Sequence, residues 1–463
     1  MNLKWKTSPS YPPQALFGQI VMPNHPGLAQ YIADNPAWAA ATYTDYAPLL
    51  TGGAPVVGGL DSATTPLIFF GRSFGWGGFP GTGFGPQEGN REHDSYRVSA
   101  SLKGDFANDI SYDFGLSYSS FESTRTTNDS YTVGAANALL GYGVCSDPIT
   151  GAIPTGALPG VGDCEYYNPF SNAIQSNAIT GEANAQYDSS LANSVELANW
   201  LTDPNTLTNE TSLLVFDAVF SGESALSAPG GNVGWAAGLQ IRNEQFDSTP
   251  NDLGDCAVNP GASGSGVFGF LACQDVRSEE QTIFAIFSEF QIPLYDDLDI
   301  QVAMRYENYG DEVGSTFDPK IAAKYTVNDY LSLRGSAQTS FKGPSLNQLG
   351  GKGTTLQFIA PTGAFKAVDQ VGNPNLKPES ALSFNFGALF ENGGLRASLD
   401  YYNFDITDPI AIESQNDIVN NLVTDNIVFD GVGTTAANIT RVLTNIVNGP
   451  DIKTSGIDAR IDY

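Results

Sequence analysis

The sequence predicts an all-β protein, an antiparallel transmembrane β-barrel with long extracellular loops. Three observations carry this expectation. Apolar and polar residues alternate in recurring segments of about ten residues, the length at which a tilted strand crosses a bilayer. The connections between those segments run alternately short and long. The composition, with 50 Gly, 27 Pro, 27 Phe and 20 Tyr against 3 Met, suits turns and aromatic-rich strands and argues against an all-helical chain. With 41% apolar and 15% charged among 463 residues, the chain can bury a core and does not read as disordered. No apolar stretch reaches the roughly eighteen residues of a membrane-spanning helix, the longest clear runs being 212–216 and 282–287.

Along the chain, residues 1–91 read as an extracellular loop region and entry, and 92–463 as barrel strands with long loops. The amino-terminal MNLKWKTSPSYPPQ carries Lys4 and Lys6 but no apolar core of signal-peptide length, so no secretion signal is expected in it. Residues 24–36 predict a short helix with Pro26 in its first turn. The clearest strand is 109–118, where Ile110, Tyr112, Phe114, Leu116 and Tyr118 alternate with Asp109, Ser111, Asp113, Gly115 and Ser117. Residues 297–307 repeat the pattern, and their wet face is charged, with Asp297, Asp299, Arg305 and Glu307. Similar segments at 94–103, 212–221, 235–246, 281–291, 317–325, 331–341, 381–390, 394–402 and 456–463, with a weaker one at 440–447, bring the total to about twelve strands.

A soluble sandwich alternates in the same way, so the connections have to decide. Those at 103–109 and in GESALSAPGG, IPLYDD, VNDY and ENGG are tight, whereas 123–208, 247–278, 342–377 and 408–439 are long. Membrane barrels segregate short periplasmic turns from long outer loops in this way, and a sandwich has no reason to. Tyr and Phe at strand ends, in SYSSF, RYENY, LDYYNF and IDY, fit interfacial girdles. Within the first long loop, Leu191, Val195 and Leu201 after Asp188 and Ser189 predict a short helix in 188–203.

Charge and cysteine usage bound the partners. Lys and Arg number 21 against 50 Asp and Glu, a net charge of −29, which repels a phosphate backbone and excludes nucleic acid. Cys145 with Cys164 and Cys256 with Cys273 form two near pairs without metal-ligand spacing, which predicts two local disulfides in an oxidising compartment. Residues 123–208 hold Arg125 against eight acids, a net −7. Two readings stay open for them: attraction of divalent cations that bridge lipopolysaccharide, or a plain solvated acidic loop.

Several motifs invite chemistry. GRSFG at 71–75 matches a nucleophile elbow with Ser73 as nucleophile and His93 as base, but the Gly- and Pro-rich continuation cannot hold the helix an elbow needs. GSGVFG at 264–269 matches a dinucleotide fingerprint, yet lies between two cysteines rather than in a βαβ unit. His25 and His93 read as surface residues. Neither a metal nor a cofactor is expected. Glycine-interleaved aromatics at 69–85 offer a stacking platform for cargo, with Arg72, Phe74, Trp76 and Phe79 as ligand-binding candidates.

The late segments resemble the TonB-dependent outer-membrane receptors. YLSLRGSAQTSFKGPSLNQL (330–349) is similar to the family's strand ending in an F-R-A-P-S-like corner, with Phe341, Pro344 and Ser345 matching and Lys342 and Gly343 where Arg and Ala are usual. GNPNLKPESALSFNFG (372–387) resembles the family's N-P-N-L-K-P-E entry to the next strand, through Asn373, Pro374, Leu376, Pro378 and Glu379. Prolines here fix extended backbone ahead of a strand, where a missing amide does no harm. LDYYNFDITDPI, IKTSGIDARIDY, NHPGL and the Cys145–Cys164 loop are also similar, so the likeness spans nearly the whole chain.

The resemblance implies a Gram-negative outer-membrane protein, embedded among lipid and lipopolysaccharide, that takes up a scarce nutrient such as a siderophore, cobalamin or saccharide. It further implies energy from the TonB complex and no enzymatic activity. It also implies a signal peptide, a TonB-contacting segment and a plug, none of which is recognisable here, and about twenty-two strands against the twelve counted. The expectation is therefore a barrel portion of a receptor. A passive channel is the alternative, and a secreted hydrolase using Ser73 a minor one.

Overall fold

Among the described residues, twelve strands form one antiparallel sheet in which chain order is spatial order. They are β1 (Asn2–Thr7), β2 (Gly89–Asp105), β3 (Ser111–Ser130), β4 (Thr202–Ala228), β5 (Gly231–Pro250), β6 (Arg277–Tyr295), β7 (Leu298–Asn308), β8 (Ser315–Asn328), β9 (Leu331–Lys342), β10 (Glu379–Asn392), β11 (Leu395–Thr407) and β12 (Ile452–Asp462). The computed structural model describes residues 2–7, 15–39, 43–45, 56–58, 67–72, 89–106, 109–176, 180–261, 266–268, 273–310, 313–429 and 433–463. β1 and β12 are the two ends of the sheet. Among the described residues no helix is long and apolar enough to cross a membrane.

Period-two alternation separates the faces of this sheet. On β10, Leu382, Phe384, Phe386 and Phe390 stand exposed on one side, while Ser383 on the other is buried. The apolar face continues through Leu399 and Tyr401 on β11, Ile321 on β8, Ile286 on β6 and Val98 on β2, all exposed. A contiguous exposed apolar band of this size is what lipid covers. Phe106, Tyr295, Tyr325 and Tyr330 mark its short-turn edge and Tyr96 reaches its other side. From Phe106 to Tyr96 is about ten residues, or about 25 Å at ~3.3 Å per residue and a ~40° tilt, one bilayer's apolar thickness.

The strand number agrees with the sequence, but two assignments exchange places. Residues 440–447 belong to Ile439–Asn448, which pairs with loop strands instead of barrel strands. Conversely Asn2–Thr7, inside the region read as extracellular, pairs along β2 from Asn2↔Asp94 to Thr7↔Gly89. The long loop read as 123–208 is 131–201, because β3 and β4 stay paired up to Ser130↔Thr202. Beyond the band both faces of a strand are wet, so alternation ends while pairing does not. Cross-strand hydrogen bonds Thr124–Thr208 and Thr126–Thr206, each 3.0 Å, hold this polar stretch together.

The long loops fold into bodies of their own. One gathers α1 (Pro26–Asp34), α2 (Thr132–Leu139) and α3 (Val195–Leu201) around Leu28, Leu139, Tyr167, Leu197 and Leu201. α3 starts at Ser194, whose Oγ accepts from Leu197 N–H at 2.9 Å. It does not start at Asp188, because that carboxylate instead closes a turn onto Ser190. Disulfides join Cys145 to Cys164 and Cys256 to Cys273. A second body pairs the hairpin Lys352–Ile359 and Ala364–Val371 with Ile439–Asn448, over a core of Ile359, Val368, Ile418, Ile439 and Val442.

Candidate functional site

The residues of the late motifs meet at the long-loop rim, where the chain leaves β9, re-enters β10 and leaves β11. After Phe341, Gly343 passes so close to the Tyr309 ring that a Cβ there would collide with it. Ser345 starts the helix Leu346–Leu349, its N–H and Oγ donating to Gln348 Oε1 at 2.9 and 3.1 Å. Asn373 Nδ2 donates to the Ile446 carbonyl at 3.0 Å, and Leu376 is fully buried. Lys377 N–H donates to Asn448 Oδ1 while Asn448 Nδ2 donates back to Lys377 O, both at 3.0 Å. Glu379 Oε1 accepts from Ile410 N–H at 2.7 Å. Pro374 and Pro378 flank this run and lack the amide that would compete for these acceptors. The geometry makes the motif a joint that binds loop 343–378 to loop 408–451.

The lumen-facing side of the sheet carries charge. Gln240 on β5 and Glu307 on β7 both sit opposite Ala285 of β6, and its methyl leaves a gap that longer side chains bridge. Across it Arg242 donates to both Glu307 oxygens, at 3.1 and 3.2 Å. Arg305 Nε donates to Glu307 Oε1 at 2.7 Å and Tyr309 Oη–H to Oε2 at 2.8 Å. Gln240 extends the chain, accepting from Arg242 at 2.8 Å and donating to Asp217 Oδ1 at 2.6 Å. Arg305 also lies over the Phe287 ring, a favourable cation–π placement. Glu307 is 2% exposed, a burial that only such pairing makes tolerable.

The same device recurs at Gly387, which faces Arg334 on one side and Asp400 on the other. Arg334 grips Asp400 across it with two hydrogen bonds of 2.9 and 2.7 Å, and a Cβ on Gly387 would strike Asp400 Oδ1. Sequence reading missed these pairings because they join strands two apart. The available signal was the charged wet face of 297–307, with Arg305 and Glu307 two residues apart.

Of the proposed ligand contacts, Arg72 ends the strand Leu67–Arg72 opposite Ala15; Phe74, Trp76 and Phe79, like Ser73, lie outside the described residues. His93 is half-buried on β2, stacked on Phe121 at 5.5 Å. His25 departs from the surface reading: it is buried, its Nε2 donating to the Tyr167 carbonyl at 3.1 Å and its Nδ1 accepting from Leu28 N–H at 3.4 Å. It caps α1 and pins it to loop 131–201. Burial holds its pKa down to about 4, because charging it would need solvation this core lacks.

The acids of the first loop are dispersed into local roles. Asp147 Oδ1 accepts from the N–H groups of Thr150 and Ile149 at 2.7 and 2.9 Å, which keeps its carboxyl below the usual range. Asp203 accepts from Tyr131 Oη–H at 2.7 Å, and burial together with that carboxylate pushes the Tyr131 phenol up. Among the described residues no group of three or more His, Cys, Asp or Glu is placed to hold a metal ion. Residues 264, 265 and 269 of the glycine fingerprint lie outside the described residues, and Val267 and Phe268 are buried against Tyr131.

Comparison with known proteins adds to this geometry. A family model described as TonB dependent receptor-like, beta-barrel matches residues 35–463. The probable TonB-dependent siderophore receptor PirA of Acinetobacter baumannii is 27% identical over 175 residues, 37% of this chain and 23% of that protein. The ferric enterobactin receptor of Pseudomonas aeruginosa is 24% identical over 211 residues, 45% and 27% of the two chains. The matched segments thus span about a quarter of each curated relative. Among solved structures, the siderophore receptor PirA from Acinetobacter baumannii aligns with 81% of this chain and 42% of its own, at 17% identity and a TM-score of 0.47.

Proposed function

The chain belongs to the TonB-dependent receptor β-barrel family, a family of Gram-negative outer-membrane receptors and not of enzymes, and from that membership we propose that it helps to import a ferric siderophore. In this reading the apolar band sits in the outer membrane. The folded loops face outward and capture the ferric complex, and the TonB complex supplies the energy for its passage. The observation that carries the reading is the family match over 35–463. Siderophore cargo is favoured over cobalamin or saccharide by the names of the two curated relatives. The polar, charge-paired lumen face suits a barrel whose interior is wet or plugged.

Uptake of radiolabelled iron by iron-starved cells carrying the intact gene tests this. Accumulation from a ferric siderophore is expected, and it should stop when the inner membrane is uncoupled. Uptake indifferent to uncoupling would point to a passive channel. Failure with every ferric siderophore, alongside energy-dependent uptake of another nutrient, would replace the cargo.

A further inference from the structure

An asparagine followed by glycine is open to attack by the next backbone nitrogen, because glycine has no Cβ to shield that nitrogen or restrict its approach. The chain holds two such pairs, Asn392 with Gly393 and Asn448 with Gly449. The structure places them in opposite situations.

Asn448 is held by both ends of its amide. Its Oδ1 accepts from Lys377 N–H at 3.0 Å, and its Nδ2 donates to the Lys377 and Asp408 carbonyls at 3.0 and 2.9 Å. The nitrogen that would attack it, Gly449 N, is itself engaged, donating to the Pro409 carbonyl at 2.6 Å. Turning the Asn448 amide onto that nitrogen means breaking these bonds together.

Asn392 ends β10 and pairs with Leu395, the first residue of β11, across the turn Gly393–Gly394. Asn392 and both glycines are exposed. Gly393 has φ +58°, and a Cβ on either glycine would meet nothing, so the turn has room to move. Among the described residues neither the Gly393 amide nor the Asn392 side chain has a hydrogen-bond partner.

We propose that Asn392 is a site of spontaneous deamidation, while the fold protects Asn448. The Gly393 nitrogen, its proton lost to hydroxide, bonds to Asn392 Cγ; the Cγ–Nδ2 bond breaks and Nδ2 leaves as ammonia, closing a cyclic imide. Water then opens the imide at either carbonyl, giving aspartate or isoaspartate, and nothing is oxidised or reduced. Each event adds a negative charge at the short-turn end of the barrel. The isoaspartyl product also lengthens the backbone beside the Asn392–Leu395 pair. The inference does not rest on the siderophore reading.

The full chain, folded in detergent or unfolded in urea, is incubated in mildly alkaline buffer, digested and followed by peptide mass spectrometry. Isoaspartate is counted with an isoaspartyl methyltransferase. Folded Asn392 is expected to convert within about tenfold of its unfolded rate, and folded Asn448 to lag its own unfolded rate by about a hundredfold or more. Asn392→Gln, an exposed change that disfavours the ring, should end conversion at that position. Folded Asn392 lagging as far as Asn448, or Asn448 keeping its unfolded rate, overturns the proposal, as does conversion at position 392 without isoaspartate.

Discussion

His25 shows how far one residue's role can sit from its sequence context. Flanked by Asn24 and Pro26, it reads as a surface residue, yet it is the buried neutral cap of α1. Because its folded pKa of about 4 lies below the unfolded 6.5, the unfolded chain binds more protons between those values. Stability from His25 is therefore complete above pH 6.5 and lost as pH falls towards 4, by about 3 kcal/mol in all. Measured by hydrogen exchange in α1, the stability gap between wild type and His25→Asn should shrink by that amount from pH 7 to pH 4; a constant gap contradicts the assignment. Glu307 makes the opposite lesson. Glu307→Gln leaves Arg242 and Arg305 facing each other without their shared carboxylate, an expected cost of about 3 kcal/mol, read from the urea midpoint of unfolding. A loss below about 0.5 kcal/mol, typical of surface changes, would show that the network is not structural.

At the scale of elements, alternation is legible only where the two faces meet different solvents. Segments 109–118 and 297–307 lie within the apolar band and were readable from sequence. Residues 123–130 stand above it, polar on both faces, and read as loop although they are paired to Ser130. Asn2–Thr7 is too short for a pattern to emerge, and Ile439–Asn448 alternates because it covers a loop core and not because it meets lipid. The late motifs were legible as a pattern but not as a joint, since Asn373, Lys377 and Glu379 bond to residues about 30 to 70 positions away. The lipid face is testable strand by strand. Phe386→Arg should destabilise by about 2–4 kcal/mol, the cost of a charge near mid-bilayer. Asn385→Arg, on the lumen side, should cost much less, and equal costs at the two positions would contradict the assigned faces.

For the whole molecule, an apolar band, a charge-paired lumen and folded long loops at one rim make a single arrangement: a wall in lipid with its folded loops on one side of the membrane. The net charge of −29 belongs mostly to the wet regions and keeps them soluble, without identifying a cargo. What this arrangement demands is a fixed sidedness. Leu158, exposed in loop 131–201, and Asp329, in the turn between β8 and β9, lie at opposite ends of the barrel. Labelling of Leu158→Cys and Asp329→Cys with a membrane-impermeant maleimide reads this directly. The account predicts that intact cells label Leu158→Cys at once and Asp329→Cys only after the outer membrane is permeabilised. Equal labelling of both in intact cells, or the reverse order, would contradict a barrel that spans the outer membrane with its long loops outside.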